Sequence, residues 1–207
     1  MTFSVWLSLL GASALISFSP GAGAVNTMTN ALNAGFRRSF WGILGQQAAL
    51  LIHVAIVAAG VGLLVANSPT AFAVIRYAGA AYLVYLGVRL LTARPAADTA
   101  PLDARAHEPA WSMFRRGVWV NLLNPKAIVF FLAFTPQFIR PDAPLLPQYL
   151  VFIATIVAVD VAVMWFFFAA AAKSFRRFTR TARGARVLNL AFGTLFIFVA
   201  LLLVLVH

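Results

Sequence analysis

Six long apolar runs dominate the chain. They cover residues 3–32, 41–65, 72–91, 111–139, 148–172 and 187–206, and short polar links separate them. Apolar runs of about 18 or more residues are typical of transmembrane helices, and at about 1.5 Å per residue the four uninterrupted runs would be about 30–38 Å long. The two-residue alternation of membrane strands is not seen. The pattern predicts an all-α, polytopic membrane protein with six transmembrane helices.

Composition supports this class. Hydrophobic residues make up 62% of the 207 positions and charged residues only 10%, which is too little charge to cover the surface of a water-soluble domain. The absence of cysteine excludes disulfides, thiol catalysis and cysteine metal sites. The N-terminal sequence "MTFSVWLSLL" lacks the positive region of a signal peptide, so we expect it to be retained as the first helix.

The net charge of +11 is concentrated on alternate links. A nucleic-acid-binding patch is the alternative explanation, but the distribution favours the positive-inside pattern of a membrane protein. We therefore expect a multi-pass protein of the bacterial inner (plasma) membrane, with both termini on the periplasmic, outer side. The second and fourth links and the run ends beside them hold only Arg76 and Arg140, whereas the other links and their flanking run ends hold Arg37, Arg38, Arg89, Arg94, Arg105, Arg115, Arg116, Lys173, Arg176, Arg177, Arg180, Arg183 and Arg186.

Polar stretches interrupt two of the runs: "FSPGAGAVNTMTN" in the first and "VNLLNPKAIVFF" in the fourth. Proline within a span removes a backbone donor and strains the preceding turn. Asn124-Pro125 has the form of a helix N-cap followed by proline at the first helical position, and Ser19-Pro20 has the same form. The first and fourth helices are therefore predicted to be discontinuous, although simple proline kinks are the alternative.

The two restarted half-helices would direct their N-termini into the membrane interior. Free N–H groups and the helix dipole make such ends favourable for anions, and Lys126 adds a full charge beside one of them. The carboxylate of a small metabolite would suit this arrangement. The candidate substrate-binding residues are Ser19, Pro20, Gly21, Asn26, Asn30, Gln46, Asn121, Asn124, Pro125 and Lys126.

Three helices per half, with opposed orientation, fit the inverted-repeat plan of many secondary transporters. We expect one transporter domain over residues 1–207, with repeat 1 at about 1–91, a cytoplasmic linker at about 92–110 and repeat 2 at about 111–207. A straight helix, with a rise of about 1.5 Å per residue, would place Arg116 about 12 Å from Asn124 but Arg37 about 25 Å from Pro20. The two breaks share a depth only if the first segment tilts strongly or projects into the cytoplasm.

Asp160 is the only acidic residue inside a predicted span. A carboxylate within the membrane is costly and is by default a functional candidate, here for carrying a proton, with a static ion pair to Lys126 as the alternative. His53 is a second candidate for proton coupling, or it bonds a neighbouring helix. No catalytic set, metal-ligand cluster or phosphate loop is present in the sequence, so we expect neither an enzyme nor a cofactor or metal.

Three blocks resemble the LysE/RhtB family of amino-acid exporters: "SPGAGAVNTMTNALNAGFRRSFWGILGQQAALLIHVAIVAAGVG", "YAGAAYLVYLGVRLL" and "FRRGVWVNLLNPKAIVFFLAFTPQFI". The wording is most similar to the homoserine and homoserine lactone efflux branch. The resemblance extends from about residue 5 to the last helix. It implies an inner-membrane exporter, coupled to protons, and carries the family's functional positions onto Ser19–Gly21, Asn124–Lys126 and Asp160. Gly45-Gln46-Gln47 departs from the family pattern, because many members carry an acidic residue there.

The expected function is secondary active export of small amino acids or derivatives such as homoserine, homoserine lactone or threonine-like compounds. Export of basic or other neutral amino acids is one alternative. A non-transporting membrane scaffold or channel subunit is the alternative from another class. The expected partners are the amino-acid substrate and the lipid bilayer, with no nucleic acid, and a homodimer is left open.

Overall fold

The structure, a computed structural model, describes residues 1–67, 69–93, 108–140, 142–179 and 181–205. These residues are helical throughout apart from short links, with no strand among them. Most of the predicted linker at about 92–110 lies outside the described residues. The helices are α1 Phe3–Phe18, α2 Ala22–Ala34, α3 Phe36–Asn67, α4 Pro69–Thr92, α5 Ala110–Leu122, α6 Pro125–Phe138, α7 Leu145–Ala162, a π-helical segment Val163–Ala169, α8 Ala172–Thr179 and α9 Ala182–Leu205.

The predicted all-α class and both predicted discontinuities are confirmed. Helices α1 and α2 are bent by 58° at their break, and α5 and α6 by 61° at theirs. Two single stretches of the described residues, Phe36–Gly60 and Leu145–Ala169, are long and apolar enough to cross a membrane, and each bent pair also qualifies if it is one span. The described residues therefore give two to four candidate spans.

The fifth predicted run is more divided than expected. Its helix becomes π-helical at Val163, and a π-helical turn contains about one residue more than an α-helical turn. Helix α8 is a separate short helix that the hydropathy pattern did not predict. Segment α8 was missed because its residues, "AKSFRRFT", are polar and basic, which marked them only as a link.

The 58° bend shortens the distance, measured along the axis of α1, from the first break to the basic end of its segment. Helix α2 has 13 residues and is about 20 Å long, and at this angle it extends only about 10 Å along the axis of α1. The estimate of about 25 Å assumed a straight first segment and therefore overestimated the distance from its break to its basic end.

Glycines allow the closest helix crossings. A Cβ atom at Gly45 of α3 would collide with the carbonyl oxygen of Phe114 in α5, and one at Gly117 would collide with that of Gly42. Small residues at such crossings let helix backbones approach closely, which is a common form of packing in membranes. The α3–α5 crossing therefore fixes the second break against α3.

Two apolar clusters lie on either side of the breaks. The larger is centred on the α6 aromatics Phe130, Phe134 and Phe138, spaced four residues apart so that they share one face, with ring centroids 4.6 and 6.5 Å apart. The smaller joins α2, α3 and the π-helical segment around Ile43 and Phe168. Polar groups of the two breaks lie between these clusters.

Candidate functional site

The first break differs in detail from the prediction. Ser19 is the C-cap of α1, with extended backbone (φ −70°, ψ 114°), and Pro20 lies in the link. Helix α2 begins at Ala22 after Gly21, which is the N-cap and provides no side-chain hydrogen bond. The interpretation of Ser19 as an N-cap with Pro20 at the first helical position is therefore wrong, because the helix restarts two residues later.

The second break matches its prediction. Asn124 is the N-cap of α6, its side-chain oxygen accepts a hydrogen bond from the backbone N–H of Lys126 at 3.1 Å, and Pro125 occupies the first helical position. A cap of this kind satisfies one of the free donors at a helix start. The local sequence alone was enough to predict this geometry.

Lys126 joins the two breaks. Its ammonium donates to the carbonyl oxygen of Ser19 at 2.6 Å and to that of Ile16 at 3.1 Å. These carbonyls belong to the end of α1, where the break removes their helical partners and where the dipole favours a cation. A Cβ atom at Gly21 would lie 3.3 Å from both Cε and Nζ of Lys126, so the lysine passes directly over the glycine.

His53 has a comparable place at the second break. Its Nε2 lies 3.3 Å from the carbonyl oxygen of Leu122, the last residue of α5. Because a carbonyl oxygen only accepts, Nε2 carries the proton in this contact. The ring stacks on Phe131 at 5.6 Å, and Nδ1 is buried without a hydrogen-bond partner. At each break, a basic side chain from another helix therefore binds a backbone carbonyl oxygen at the end of the preceding helix.

Asp160 is bound by two neutral donors. Ser17 of α1 donates to Oδ1 at 2.9 Å and Gln47 of α3 donates to Oδ2 at 2.7 Å. Within the described part of the chain, Asp160 and Lys126 form no ion pair within 4.0 Å. The π-helical segment begins three residues after Asp160, and such segments are frequent at functional sites. A static pair with Lys126 is therefore not what holds the carboxylate here.

Lys126 and Asp160 line one small cavity between the two breaks. Its volume is about 60 Å³. One water needs about 10–15 Å³ of such room, so the cavity would hold about four to six waters. Apolar walls come from both clusters, through residues such as Phe131 and Met164. The other polar side chains of the lining are Ser13, Ser17, Gln46, Asn121 and Asn124.

Gln46 and Asn121 connect the cavity wall to the helices around it. The buried amide of Gln46 donates to the carbonyl oxygen of Gly23 at 3.2 Å and to the hydroxyl of Thr27 at 3.0 Å. Asn121 donates to the backbone carbonyl of Gln46 at 3.0 Å. A Cβ atom at Gly23 would lie 2.9 Å from the Gln46 side-chain oxygen, so α2 and α3 meet closely beside the cavity.

Asn26 and Asn30 have a different partner. Their side-chain oxygens accept hydrogen bonds from the guanidinium of Arg116, which also forms an ion pair with Glu108 at 2.5 Å. Asn26 and Asn30 therefore form a polar contact between α2 and α5, outside the cavity lining. The predicted residues that line the cavity are Gly21, Gln46, Asn121, Asn124, Lys126 and Asp160, whereas Ser19, Pro20, Asn26, Asn30, Pro125 and His53 are not in its lining.

Sequence reasoning did not identify Ser13, Ser17, Gln47 or Arg116. Gln47 lies directly after a candidate residue and could have been included on that ground. Ser13 and Ser17 are one helical turn apart on α1, which is the spacing of a polar face directed at a common neighbour. Arg116 was counted only as part of a basic link, although its position in α5 places it opposite α2.

Comparison with known proteins identifies the family. A model described as LysE type translocator matches residues 14–206. The chain is 41% identical over 203 residues to a homoserine/homoserine lactone efflux protein of Salmonella typhimurium, which covers 98% of this chain and 97% of the relative. It is 40% identical over 206 residues to a Vibrio cholerae protein described as an uncharacterized membrane protein, covering 98% of each.

A more distant relative is the uncharacterized membrane protein YrhP of Bacillus subtilis, which is 31% identical over 169 residues, covering 78% of this chain and 80% of that protein. No solved structure matches the chain. Because the family model covers almost the whole sequence and the Salmonella and Vibrio relatives align with it nearly end to end, the chain belongs to the LysE family of translocators.

Proposed function

We propose that the chain is a proton-coupled exporter of a small amino acid or derivative such as homoserine or its lactone. The observation that carries the proposal is the cavity that Lys126 and Asp160 share at the two helix breaks. A zwitterion needs a cation for its carboxylate and an anion for its ammonium. The efflux protein of Salmonella typhimurium, named for homoserine and its lactone, supports the choice of substrate.

In this proposal the substrate carboxylate, or the carbonyl oxygen of the lactone, binds near Lys126 and the N-terminal ends of α2 and α6, where free N–H groups can donate to it. Asp160 is the only acidic side chain in the cavity lining, so it serves both the ammonium and the proton. A carboxylate that binds either a proton or the ammonium makes the two compete, which is the requirement for antiport. This would also explain how the chain functions without an acidic residue at Gly45–Gln47.

The cavity is small because the site is closed in this state. Its room for about four to six waters is less than a small amino acid of eight or more non-hydrogen atoms requires. Binding therefore requires the half-helices to separate, with the breaks as hinges. Such movement around a fixed midplane site is how discontinuous-helix transporters alternate their access.

The proposed architecture is six spans in two inverted three-helix repeats, with the basic links in the cytoplasm and both termini outside. The partition of Lys and Arg between alternate links supports it. We expect a C-terminal fusion to be active with a reporter that works only outside the cytoplasm and inactive with one that works only inside. The reverse result would rule out this orientation and the inverted repeat with it.

We expect the purified protein in proteoliposomes to move homoserine in a saturable manner and only when a pH gradient is imposed. Saturation is expected because transport passes through a single closed site, and gradient dependence because Asp160 exchanges a proton. Unlabelled threonine and lysine as competitors separate export of neutral amino acids from export of basic ones. Flux that is neither saturable nor gradient-dependent would indicate a channel, and no flux would favour a scaffold subunit.

A further inference from the structure

Ser13 has a buried hydroxyl that nothing in the fold uses. The residue is 2% exposed, its Oγ has no hydrogen-bond partner, and it lines the cavity shared by Lys126 and Asp160. Leaving a buried hydroxyl without a partner is costly, so such groups are normally paired. A hydroxyl that faces a cavity without a partner is therefore positioned for something that enters the cavity.

The same chain shows what a helical hydroxyl does when it has only a structural role. Ser8 donates to the carbonyl oxygen four residues earlier at 3.1 Å, Thr92 does so at 2.9 Å and Thr155 at 2.7 Å. This local bond is available to any serine or threonine within a helix. Ser13 does not make it, although it lies in the middle of α1.

Ser13 also lies beside the group that the proposed function assigns to the substrate ammonium. Ser17, one turn further along α1, donates to Asp160 and lines the same cavity. Residues four apart are neighbours on one helix face. Since Asp160 and Lys126 would bind the two charged groups of an amino acid, the Ser13 hydroxyl in the same lining is left for its side chain.

The geometry points to Ser13 as a specificity-determining residue, whose hydroxyl binds an oxygen on the side chain of the substrate. This inference rests on the proposed function and narrows its substrate class to amino acids with a side-chain hydroxyl or lactone oxygen. A site built to pair such an oxygen discriminates against an analogue that lacks it, because the site's own polar group is then left buried without a partner. Alkyl amino acids of the same size are poor substrates on this basis.

Homoserine and norvaline test the inference, because norvaline has a methyl group where homoserine has its hydroxyl. In proteoliposomes, we expect the wild-type protein to prefer homoserine. Ser13→Ala should lower kcat/KM for homoserine by about 5–10-fold, the scale of one hydrogen bond, and leave norvaline unchanged or faster. Ser13→Thr retains a hydroxyl and should retain the preference. The alanine variant loses no hydrogen bond within the described fold, so it should fold normally.

Thr135→Val is the matched control, because Thr135 also has a buried hydroxyl without a partner, is 1% exposed and is absent from the cavity lining. This control should leave the ratio between the two substrates unchanged. Equal losses for homoserine and norvaline in Ser13→Ala, or no loss for either, would overturn the assignment. A wild-type protein that moves both equally would overturn it while leaving the proposed function intact. One that moves no amino acid would overturn both.

Discussion

Replacing Lys126 with alanine is expected to lower export by about 100-fold or more while the protein still inserts in the membrane. The ammonium is the cation of the proposed site, and hydrogen bonds to charged groups contribute about 1.5–3 kcal/mol each, where about 1.4 kcal/mol is a factor of ten. The change also removes the donor to the carbonyl oxygens of Ile16 and Ser19. A measurable loss of thermal stability should therefore accompany the loss of transport.

Two further variants separate these effects. Lys173→Ala is the matched control, because Lys173 is the other lysine of the chain and is exposed on α8, so its loss should leave export unchanged. Lys126→Ala combined with Asp160→Ala tests whether the lysine only neutralises the carboxylate. Since the two side chains have separate hydrogen-bond partners, we expect no rescue. Substantial rescue would mean that the pair is structural and that the substrate carboxylate binds elsewhere.

The two breaks show what sequence can and cannot determine here. The break at Asn124-Pro125 was predicted correctly because an N-cap and a first-position proline depend only on residues next to them in the chain. Ser19-Pro20 has the same form, but Gly21 follows it with an extended backbone (φ −136°, ψ −166°), so the helix restarts only at Ala22. The dipeptide identified the break in both cases but not the residue at which the helix resumes.

The partners of the polar side chains could not be predicted, because they depend on contacts between distant parts of the chain. Lys126 binds carbonyl oxygens that lie 110 and 107 positions away. The four-residue spacing of Asn26 and Asn30 places them on one helix face, but it does not show that Arg116 binds there. Pattern identifies which residues face inward together, whereas the bend angles decide which of them reach the cavity.

Asp160→Asn is expected to abolish gradient-driven export while exchange of substrate for substrate continues at saturating concentrations. Asparagine retains the size of the side chain and removes its ability to exchange a proton, so a pH gradient can no longer drive net movement. Loss of the charged partner for the ammonium should raise KM about tenfold, from the difference between charged and neutral hydrogen bonds. The measurements are pH-driven flux and counterflow in the same proteoliposome preparation.

The surroundings of Asp160 make this substitution a clean test. An asparagine oxygen can accept the hydrogen bond from Ser17 as Oδ1 does now, but its amide group would face the Gln47 amide, which donates to Oδ2. The Gln47 oxygen is buried without a partner, so rotating the Gln47 amide by 180° pairs it with the new N–H. After the same rotation, the Gln47 oxygen could also accept a hydrogen bond from the protonated carboxyl group of the native Asp160. Packing and hydrogen bonding are thus preserved, and only proton exchange and charge are lost.

Two controls decide which group carries the proton. Asp142→Asn changes an exposed carboxylate in the link before α7 and should leave coupling intact. His53→Gln removes the competing carrier, whose Nε2 is already committed to the Leu122 carbonyl. We expect His53→Gln to remain coupled, with some loss of stability at the second break. Normal pH-driven flux in Asp160→Asn together with loss in His53→Gln would transfer the role to the histidine. If both variants stay coupled, neither residue carries the proton, and the coupling ion must bind outside this cavity.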